Sequence, residues 1–568
     1  MPDTTPWVPP TQLVRYDDPP TAPETDETDQ HSPSLILLVV AGVIGMIAYG
    51  LFLLSPSRRG DLLPYSLVLV AESILIFHGL LSSWTILSGL KSPRSFAFHN
   101  AKASLFPDRE QLAGTPQQDW PMTLDGKPVD VDVFITVYGE DPEVIRKTVT
   151  AAVALKGRHT TWILDDGRSD VIKDLAAELG ARYVRRLSSG GAKAGNVNHA
   201  LSISSGEFYV IFDADFVPHP DFLVETVPFF ADPKLAFVQT PQVYGNLHNV
   251  ISRGAGYMQT VFYRYIQPGR NRFNSAFCVG TNVVFRRAAI QDVGGMYTDS
   301  KSEDVWTSLH LHEKGWHSVF IPKRLAVGEA PDTIEAFSKQ QLRWATGGFE
   351  ILLKHNPLSR KVKLTTDQRI QYTVTSTFYL TGIAPLLLLL VPPLEIYFDL
   401  RPITVDTSAT TWLVYYAGFY VIQIFVALFA MGSFRWETLM LATTSFPIYV
   451  SALRNAILGK EQKWTSTGDR SGFTSPFNFI IPQILFFVFL ALTSVVAVWR
   501  DMGNDEMSLA TAWNVTNTLI MGGLILTAFM ESRARGAVAA SPETRARRLA
   551  TLSRRHAAAT RPAQEVPA

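Results

Sequence analysis

Two nearly unbroken hydrophobic blocks stand early in this chain, Leu35 to Leu54 and about Pro64 to Leu87. Four more stand late, at about Tyr372 to Tyr397, Thr411 to Met431, Phe477 to Val498 and Ala512 to Met530. Each meets the length of about 20 residues that an α-helix needs to cross a bilayer. Six spans are therefore expected. The stretch Trp436 to Leu458 is less apolar and carries Arg454, which predicts an amphipathic helix lying in the membrane interface. If that stretch spanned instead, the count would be seven and the C-terminus would change side. Residues 1–34 are rich in Pro, Thr and acidic residues without periodicity and read as a disordered tail. The late apolar run and its acidic flanks argue against a cleavable signal peptide.

Between the second and third blocks the pattern changes. Val131–Val137 is a β-branched apolar run, followed by a helical pattern from Pro142 to Leu155. Thr161–Leu164, Ala181–Arg185, Glu207–Phe212 and Leu235–Gln239 read as further strands, with a second helix at Val171–Leu179. Strands alternating with helices imply a largely parallel sheet covered on both faces. Ligands on such sheets gather at the carboxyl ends of the strands. The expected organisation is thus a disordered tail (1–34), two spans (35–90), an α/β domain (91–368), four spans with an interfacial helix and a loop near 436–476 (369–531), and an Arg-rich tail (532–568).

Composition adds three constraints. Hydrophobic residues make up 47% of the chain and charged residues 18%, and the apolar content is concentrated in blocks, so the lipid bilayer is an expected partner. Lys and Arg balance Asp and Glu at 51 each, so bulk charge points to no nucleic-acid partner. Cys278 is the one cysteine, which excludes an intramolecular disulfide and a cysteine-based metal site. Eight Arg lie between Arg533 and Arg561. By the positive-inside tendency they place the C-terminal tail in the cytosol, and with six spans the α/β domain is on the same side.

Candidate chemistry collects where the strand-end rule points. The first strand runs into Tyr138-Gly139-Glu140, the second into Asp165-Asp166-Gly167 and the fourth into Asp213-Ala214-Asp215. Carboxylates crowded together raise one another's pKa unless a cation is present. A hard divalent ion, Mg²⁺ or Mn²⁺, would neutralise them and also grip a diphosphate. Residues two apart in a strand share a face, so Asp213 and Asp215 can serve one metal. The plainer reading is that D-x-D after a strand is turn punctuation. Ser302-Glu303-Asp304 precedes a helical pattern, Val305 to Lys314, and Ser302 is placed to be its N-cap. On a later helix Gln340, Arg343 and Trp344 share a face. An amide, a guanidinium and an indole together suit a sugar, while an ordinary interfacial helix with an Arg/Trp boundary is the alternative.

The ordered set Asp165-Asp166, Asp213-Ala214-Asp215, Ser302-Glu303-Asp304 and Gln340-x-x-Arg343-Trp344 resembles the D, DxD, TED, QxxRW signature of processive family-2 glycosyltransferases, the group of cellulose, chitin, curdlan and hyaluronan synthases. Gly191-Ala192-Lys193-Ala194-Gly195-Asn196 resembles a stretch of bacterial cellulose synthases with a phosphate-side lysine. Gln239-Thr240-Pro241-Gln242 resembles QTPH, with Gln where His is expected, and Phe277-Cys278-Val279-Gly280-Thr281 resembles FFCGS, near the acceptor. The resemblance covers about residues 35–530 and implies a GT-A-type nucleotide-sugar domain inserted in a helical transmembrane bundle at the plasma membrane.

The resemblance also implies roles. Tyr138, Glu140, Asp165, Asp166, Lys193 and Arg343 are expected around a UDP-sugar, UDP-glucose first. Asp213 and Asp215 are expected on the metal, and Asp304 as the general base. Glu303, Gln340, Trp344, Cys278 and Gly280 are expected around the growing polysaccharide. The gating loop FxVTxK has a loose counterpart in Trp464-Thr465-Ser466-Thr467-Gly468-Asp469, with Asp in the Lys position. The tail after Met530 is too short for the PilZ barrel of cyclic-di-GMP-regulated relatives, so none is expected. Accessory export subunits are not readable from the chain. Two other readings share parts of this pattern: a non-processive transferase acting on a lipid-linked acceptor, and a transporter with a catalytically dead domain.

Overall fold

A computed structural model describes residues 32–540 except 90–91, 108–111, 113, 405–408, 432–433, 460–474 and 505–507. Most of the acidic N-terminal tail, the Trp464–Asp469 loop and the Arg-rich tail beyond 540 lie outside the described residues. Two helices come first, α1 (Pro33–Leu54) and α2 (Leu62–Ser88). The α/β domain follows with β1 (Val131–Val137), α3 (Pro142–Val153), β2 (Thr160–Asp165), α4 (Asp170–Glu178), β3 (Arg182–Val184), α5 (Ala192–Ile203), β4 (Phe208–Asp213), β5 (Leu235–Gln239) and β6 (Val283–Arg286). It continues through α6 (Glu303–Glu313), β7 (His317–Phe320) and α7 (Ile334–Lys354).

The seven strands form one sheet in the order β7-β5-β6-β4-β1-β2-β3. β1 is an interior strand between β4 and β2, and every residue of it is buried. Alternate residues serve opposite faces: Val131, Val133, Ile135 and Val137 enter one core, and Phe134 enters the other. Asp132 interrupts this apolar run, but its carboxylate accepts from the Trp162 indole at 2.8 Å, from the Gly206 amide at 2.7 Å and from Arg287 at 3.0 Å. A buried charge so paired avoids the cost of an unmet one. α3 starts where Asp141 accepts from the Glu143 amide at 2.9 Å, with Pro142 in the first turn, a local start signal readable in sequence.

The sheet is not simply parallel. β6 runs antiparallel to both β4 and β5, while β7 is parallel to β5. Neither β6 nor β7 was predicted. Val283–Arg286 is a short run, and no turn signal marks it as reversed. A small second sheet pairs Ala326–Gly328 with Val217–Pro218 and Val243–Tyr244.

After α7 come α8 (Thr366–Thr377), α9 (Ala384–Phe398), α10 (Ala409–Met431), α11 (Trp436–Thr444), α12 (Phe446–Leu458), α13 (Ile481–Asn504) and α14 (Leu509–Ala540). Among the described residues five helices are long and apolar enough to cross a membrane: α1, α2, the continuous stretch over α8 and α9, α13 and α14. α10, the fourth expected span, is a helix of 23 residues. Large apolar side chains such as Leu37, Leu51, Val495, Trp499 and Leu519 stand on the outside of the bundle, a surface that suits lipid contact. The single interfacial helix expected over Trp436–Leu458 is instead two, broken at Ser445 just before Pro447. A proline in the first turn starts a helix but ends the one before it. α12 packs on α7 through Tyr449, Ala452 and Ala456 against Ala345 and Phe349, and the Tyr449 hydroxyl donates to Gln341 at 3.1 Å. The bundle is thereby joined to the α/β domain along the helix that carries Arg343 and Trp344.

Candidate active site

Sheet register brings the first acids together. Thr136 of β1 is paired with Asp213 on one side, and Val137 with Asp165 on the other. Asp213 and Asp165 thus flank the same strand end, followed by Tyr138 and Glu140. Asp165 is 1% exposed and fully engaged. Its oxygens accept from the amides of Gly167 at 2.8 Å and Ser169 at 2.7 Å, and from the Tyr183 hydroxyl at 2.8 Å. Asp166 is held by Arg186 in a two-pronged pair at 2.6 Å for each contact, and Arg186 also donates to the carbonyls of Gly190 and Ala192. These two acids therefore shape the strand-end loops and hold the turn that leads to Lys193. Glu140 folds back to accept from the Tyr138 amide at 2.6 Å, and Tyr138 is exposed at the rim.

Asp213 meets the opposite side of the cleft. Its carboxylate pairs with the Lys193 ammonium and accepts from the Thr136 hydroxyl at 3.1 Å. Lys193 is the second residue of α5, whose entry is turned by Gly191 at φ +70°. Lys193 also donates to the Gly280 carbonyl at 2.7 Å. Gly280 belongs to the segment that enters β6. Because β6 runs antiparallel to β4, this segment ends beside Asp213, and the Asp213 amide donates to the Thr281 hydroxyl at 2.9 Å.

Gln239 braces that segment from below. Its amide nitrogen donates to the carbonyls of Thr240, Thr281 and Asn282, and its oxygen accepts from the Val279 amide at 2.9 Å. Gln242 donates to the Val279 carbonyl at 3.1 Å. Cys278 is fully buried, with its thiol accepting from the Gly280 amide. Its amide donates to the Ser308 hydroxyl of the next helix. A small apolar side chain there fills the core beneath the loop.

Gly280 stands between Lys193 and Asp304. A β-carbon built on it would lie 3.3 Å from Asp304 Oδ2 and 3.6 Å from Lys193 Nζ, and its φ is +87°. Asp304 is in the first turn of α6, and its Oδ1 accepts from the Val305 amide at 2.8 Å. The Ser308 hydroxyl accepts from the Cys278 amide at 2.8 Å while donating to the Asp304 carbonyl at 2.8 Å. α6 is thereby tied to the Gly280 loop. Ser302 occupies the N-cap position, but its side chain makes no capping bond; it is turned instead against Gly347 of α7.

The electrostatics follow from this crowding. Burial, and then the neighbouring Glu303, push Asp304 up to about 7. Lys193 and Arg343 pull the other way on both Glu303 and Asp304, which sets Arg343 of α7 beside the acids of α6. Burial opposes the charge on Lys193, yet Asp213, Glu303 and Asp304 outweigh it and hold its pKa above the ordinary value. Burial, Asp213, Glu329 and Glu140 drive Asp215 well above the usual carboxylate range. Gln340, three residues before Arg343, has a buried amide oxygen with no hydrogen-bond partner among the described residues, and Trp344 is half-buried on the same helix.

Sequence reasoning did not single out Glu329 or Thr136, and it named Thr281 only as the end of the Phe277–Thr281 segment. Glu329 follows the short strand Ala326–Gly328, and an acid at a strand end was the one available signal. Three lines of similarity accompany this geometry. The family profile described as "Glycosyl transferase family group 2" matches residues 209–498, just over half of the 568. The chain belongs to glycosyl transferase family group 2. Within that family, "Cellulose synthase 2" of Novacetimonas hansenii is 32% identical over 371 residues, covering 61% of this chain and 23% of that protein. The "Cellulose synthase catalytic subunit [UDP-forming]" of Pseudomonas fluorescens (strain SBW25) is 33% identical over 289 residues, covering 49% of this chain and 38% of its own length. The matches thus span well under half the length of these curated relatives. Among solved structures, a mannosyltransferase from Pyrobaculum calidifontis in complex with GDP-Man and Mn²⁺ is 16% identical. That match covers 67% of this chain and 100% of the other, with a TM-score of 0.42.

Proposed function

We propose that this family-2 transferase is a processive, inverting synthase. It extends a β-linked glucan from UDP-glucose on the cytosolic face of the plasma membrane and passes the product out through its own helices. The observation that carries the proposal is the meeting of Lys193, Asp213 and Asp304 around Gly280. The named activity of the cellulose synthase relatives supports glucose and UDP, and the spanning helices support a membrane site of synthesis.

The cation fits the donor set. Asp215 sits among Asp213, Glu329 and Glu140 with its ionised form disfavoured, and a divalent ion relieves such crowding. Asp213 and Asp215 would hold Mg²⁺ or Mn²⁺, which supplies positive charge toward the leaving diphosphate. Lys193 adds a fixed positive charge on the same side, and stabilising charge that develops during reaction lowers the barrier. Asp304, with a pKa about 7, is suited to take a proton from an acceptor hydroxyl at neutral pH. That oxygen forms the new bond to the anomeric carbon while the bond to UDP breaks on the opposite side, so an α-linked donor gives a β product. The partnerless oxygen of Gln340 is suited to accept from an acceptor hydroxyl, and Trp344 offers an aromatic face to the terminal sugar. Both are positioning effects.

The test is to incubate membranes with a panel of UDP- and GDP-sugars, digest the product with linkage-specific hydrolases and measure its length. Long β-glucan from UDP-glucose supports the reading. Single-sugar transfer to a lipid fraction would replace it with the non-processive alternative. Asp304→Asn should lower transfer by roughly 100- to 10,000-fold while UDP binding persists. Full activity in that variant would remove Asp304 from the mechanism.

A further inference from the structure

At the far ends of α6 and α7, away from the cleft, His310, Glu313 and His355 approach one another. One ligand atom from each lies within 4.8 Å of the other two, and all three residues are half-buried. His310 and Glu313 are one turn apart on α6, and His355 directly follows α7. His355 Nε2 is 3.1 Å from Glu313 Oε1. Ligand atoms about 2.1 Å from a tetrahedral metal lie about 3.4 Å apart, so this edge already has nearly the spacing a metal requires. The Lys363 amide donates to the same Oε1 at 3.3 Å, which helps to fix the carboxylate.

A second observation concerns the surroundings. The rings of Trp306 and Tyr297 stack at 4.8 Å, and Trp306 lies 5.8 Å from His310 and 5.7 Å from His355. Trp306 is 4% exposed and its ring borders both imidazoles, which walls the cluster on one side.

We propose that His310, Glu313 and His355 form a metal site for a divalent ion of the Zn²⁺ class that pins the end of α6 to the end of α7. Two imidazoles and one carboxylate suit Zn²⁺, Co²⁺ or Ni²⁺. Mg²⁺ prefers oxygen ligands and takes the carboxylates of the cleft. The two sites are therefore separated by chemistry as well as by position. The location also gives the site a consequence. α6 begins with Glu303 and Asp304, and α7 carries Gln340, Arg343 and Trp344. The start of α6 is already joined to the later part of α7, by the Ser302–Gly347 contact and by the Ser300 hydroxyl donating to Glu350 at 2.8 Å. A metal at the far ends makes a second tie and fixes the two helices as one unit.

The experiment uses the full chain in detergent micelles, stripped with chelator and held in saturating Mg²⁺. Co²⁺ is then titrated and followed by its ligand-field absorption and by calorimetry. The expected result is one tight equivalent per chain with the intense visible bands of four-coordinate Co²⁺. His355→Asn and the double variant H310Q/H355N should bind none, and His317→Asn should bind as wild type does. A metal-free melting temperature equal to wild type shows that each variant is folded. Should the double variant melt early, His355→Asn alone decides, together with X-ray absorption of the Zn²⁺-loaded wild type. Unchanged stoichiometry in the folded variants, no Co²⁺ bands in the presence of Mg²⁺, or an absorption spectrum without imidazole ligands overturns the site.

Discussion

Gly347 of α7 and Ser302, the residue that leads into α6, are in contact with no room for a side chain between them: a β-carbon on Gly347 would collide with Oγ and Cβ of Ser302. This contact sets how closely the helix of Arg343 and Trp344 approaches the helix of Asp304. Gly347→Ala should therefore push the helices apart, costing about 1–3 kcal/mol as overpacking does and lowering transfer more than it lowers stability. Ser302→Gly in the same chain should restore part of both, because it removes the atoms that the new methyl meets. A double-mutant cycle on melting temperature and on turnover measures the coupling. Additive effects would mean that the contact does not set the helix spacing.

Gly280 is constrained twice, by its left-handed backbone at φ +87° and by Asp304 Oδ2 at 3.3 Å from any added β-carbon. Gly280→Ala is expected to destabilise the fold by about 1 kcal/mol or more. A displacement of Asp304 by even an ångström is worth on the order of 100-fold in rate, so the loss of turnover should exceed the loss of folded protein. Circular dichroism alongside UDP release separates the two.

The pH dependence has a defined sign. Asp304 acts as a base only when ionised, and burial followed by the charge of Glu303 raises its pKa to about 7. Turnover should therefore rise with pH through about 7 and level off above it. Glu303→Gln removes one of the two raising influences, so the acid limb of that variant should move to lower pH. A limb that stays in place would assign the titration to another group.

Removal of divalent ions should stop UDP release, and Mg²⁺ or Mn²⁺ should restore it. Asp213→Asn and Asp215→Asn should each raise the cation concentration needed for half-maximal activity, because each removes one of the two carboxylates proposed to hold the ion. Cation-independent turnover in chelator-treated protein would contradict this assignment.

Much of the domain was legible because it is local. β1 and β5 have the limits that their apolar runs predict, and α3 starts at Pro142, where its helical pattern begins. The acids at the ends of β1, β2 and β4 follow from strand-end logic, and their adjacency is a matter of sheet register. The reversed strand β6 was not legible. Its four residues carry no orientation, yet its direction delivers Gly280 and Thr281 to Asp213. Cys278 was likewise not legible as a core residue, yet its side chain packs in the core beneath the Gly280 loop.

Pairwise approach across long stretches of chain separates the two kinds of knowledge. Residue order alone determined which segments are apolar enough for a membrane, which alternate as strands and helices, and which carboxylates end a strand, because those properties depend on neighbours a few positions away. Tertiary structure alone decided that Lys193 pairs with Asp213, that Gly347 rests on Ser302, and that His310, Glu313 and His355 come within reach of one another. Those distances depend on how separate elements pack, and packing is governed by shape and burial over the whole domain rather than by spacing along the chain.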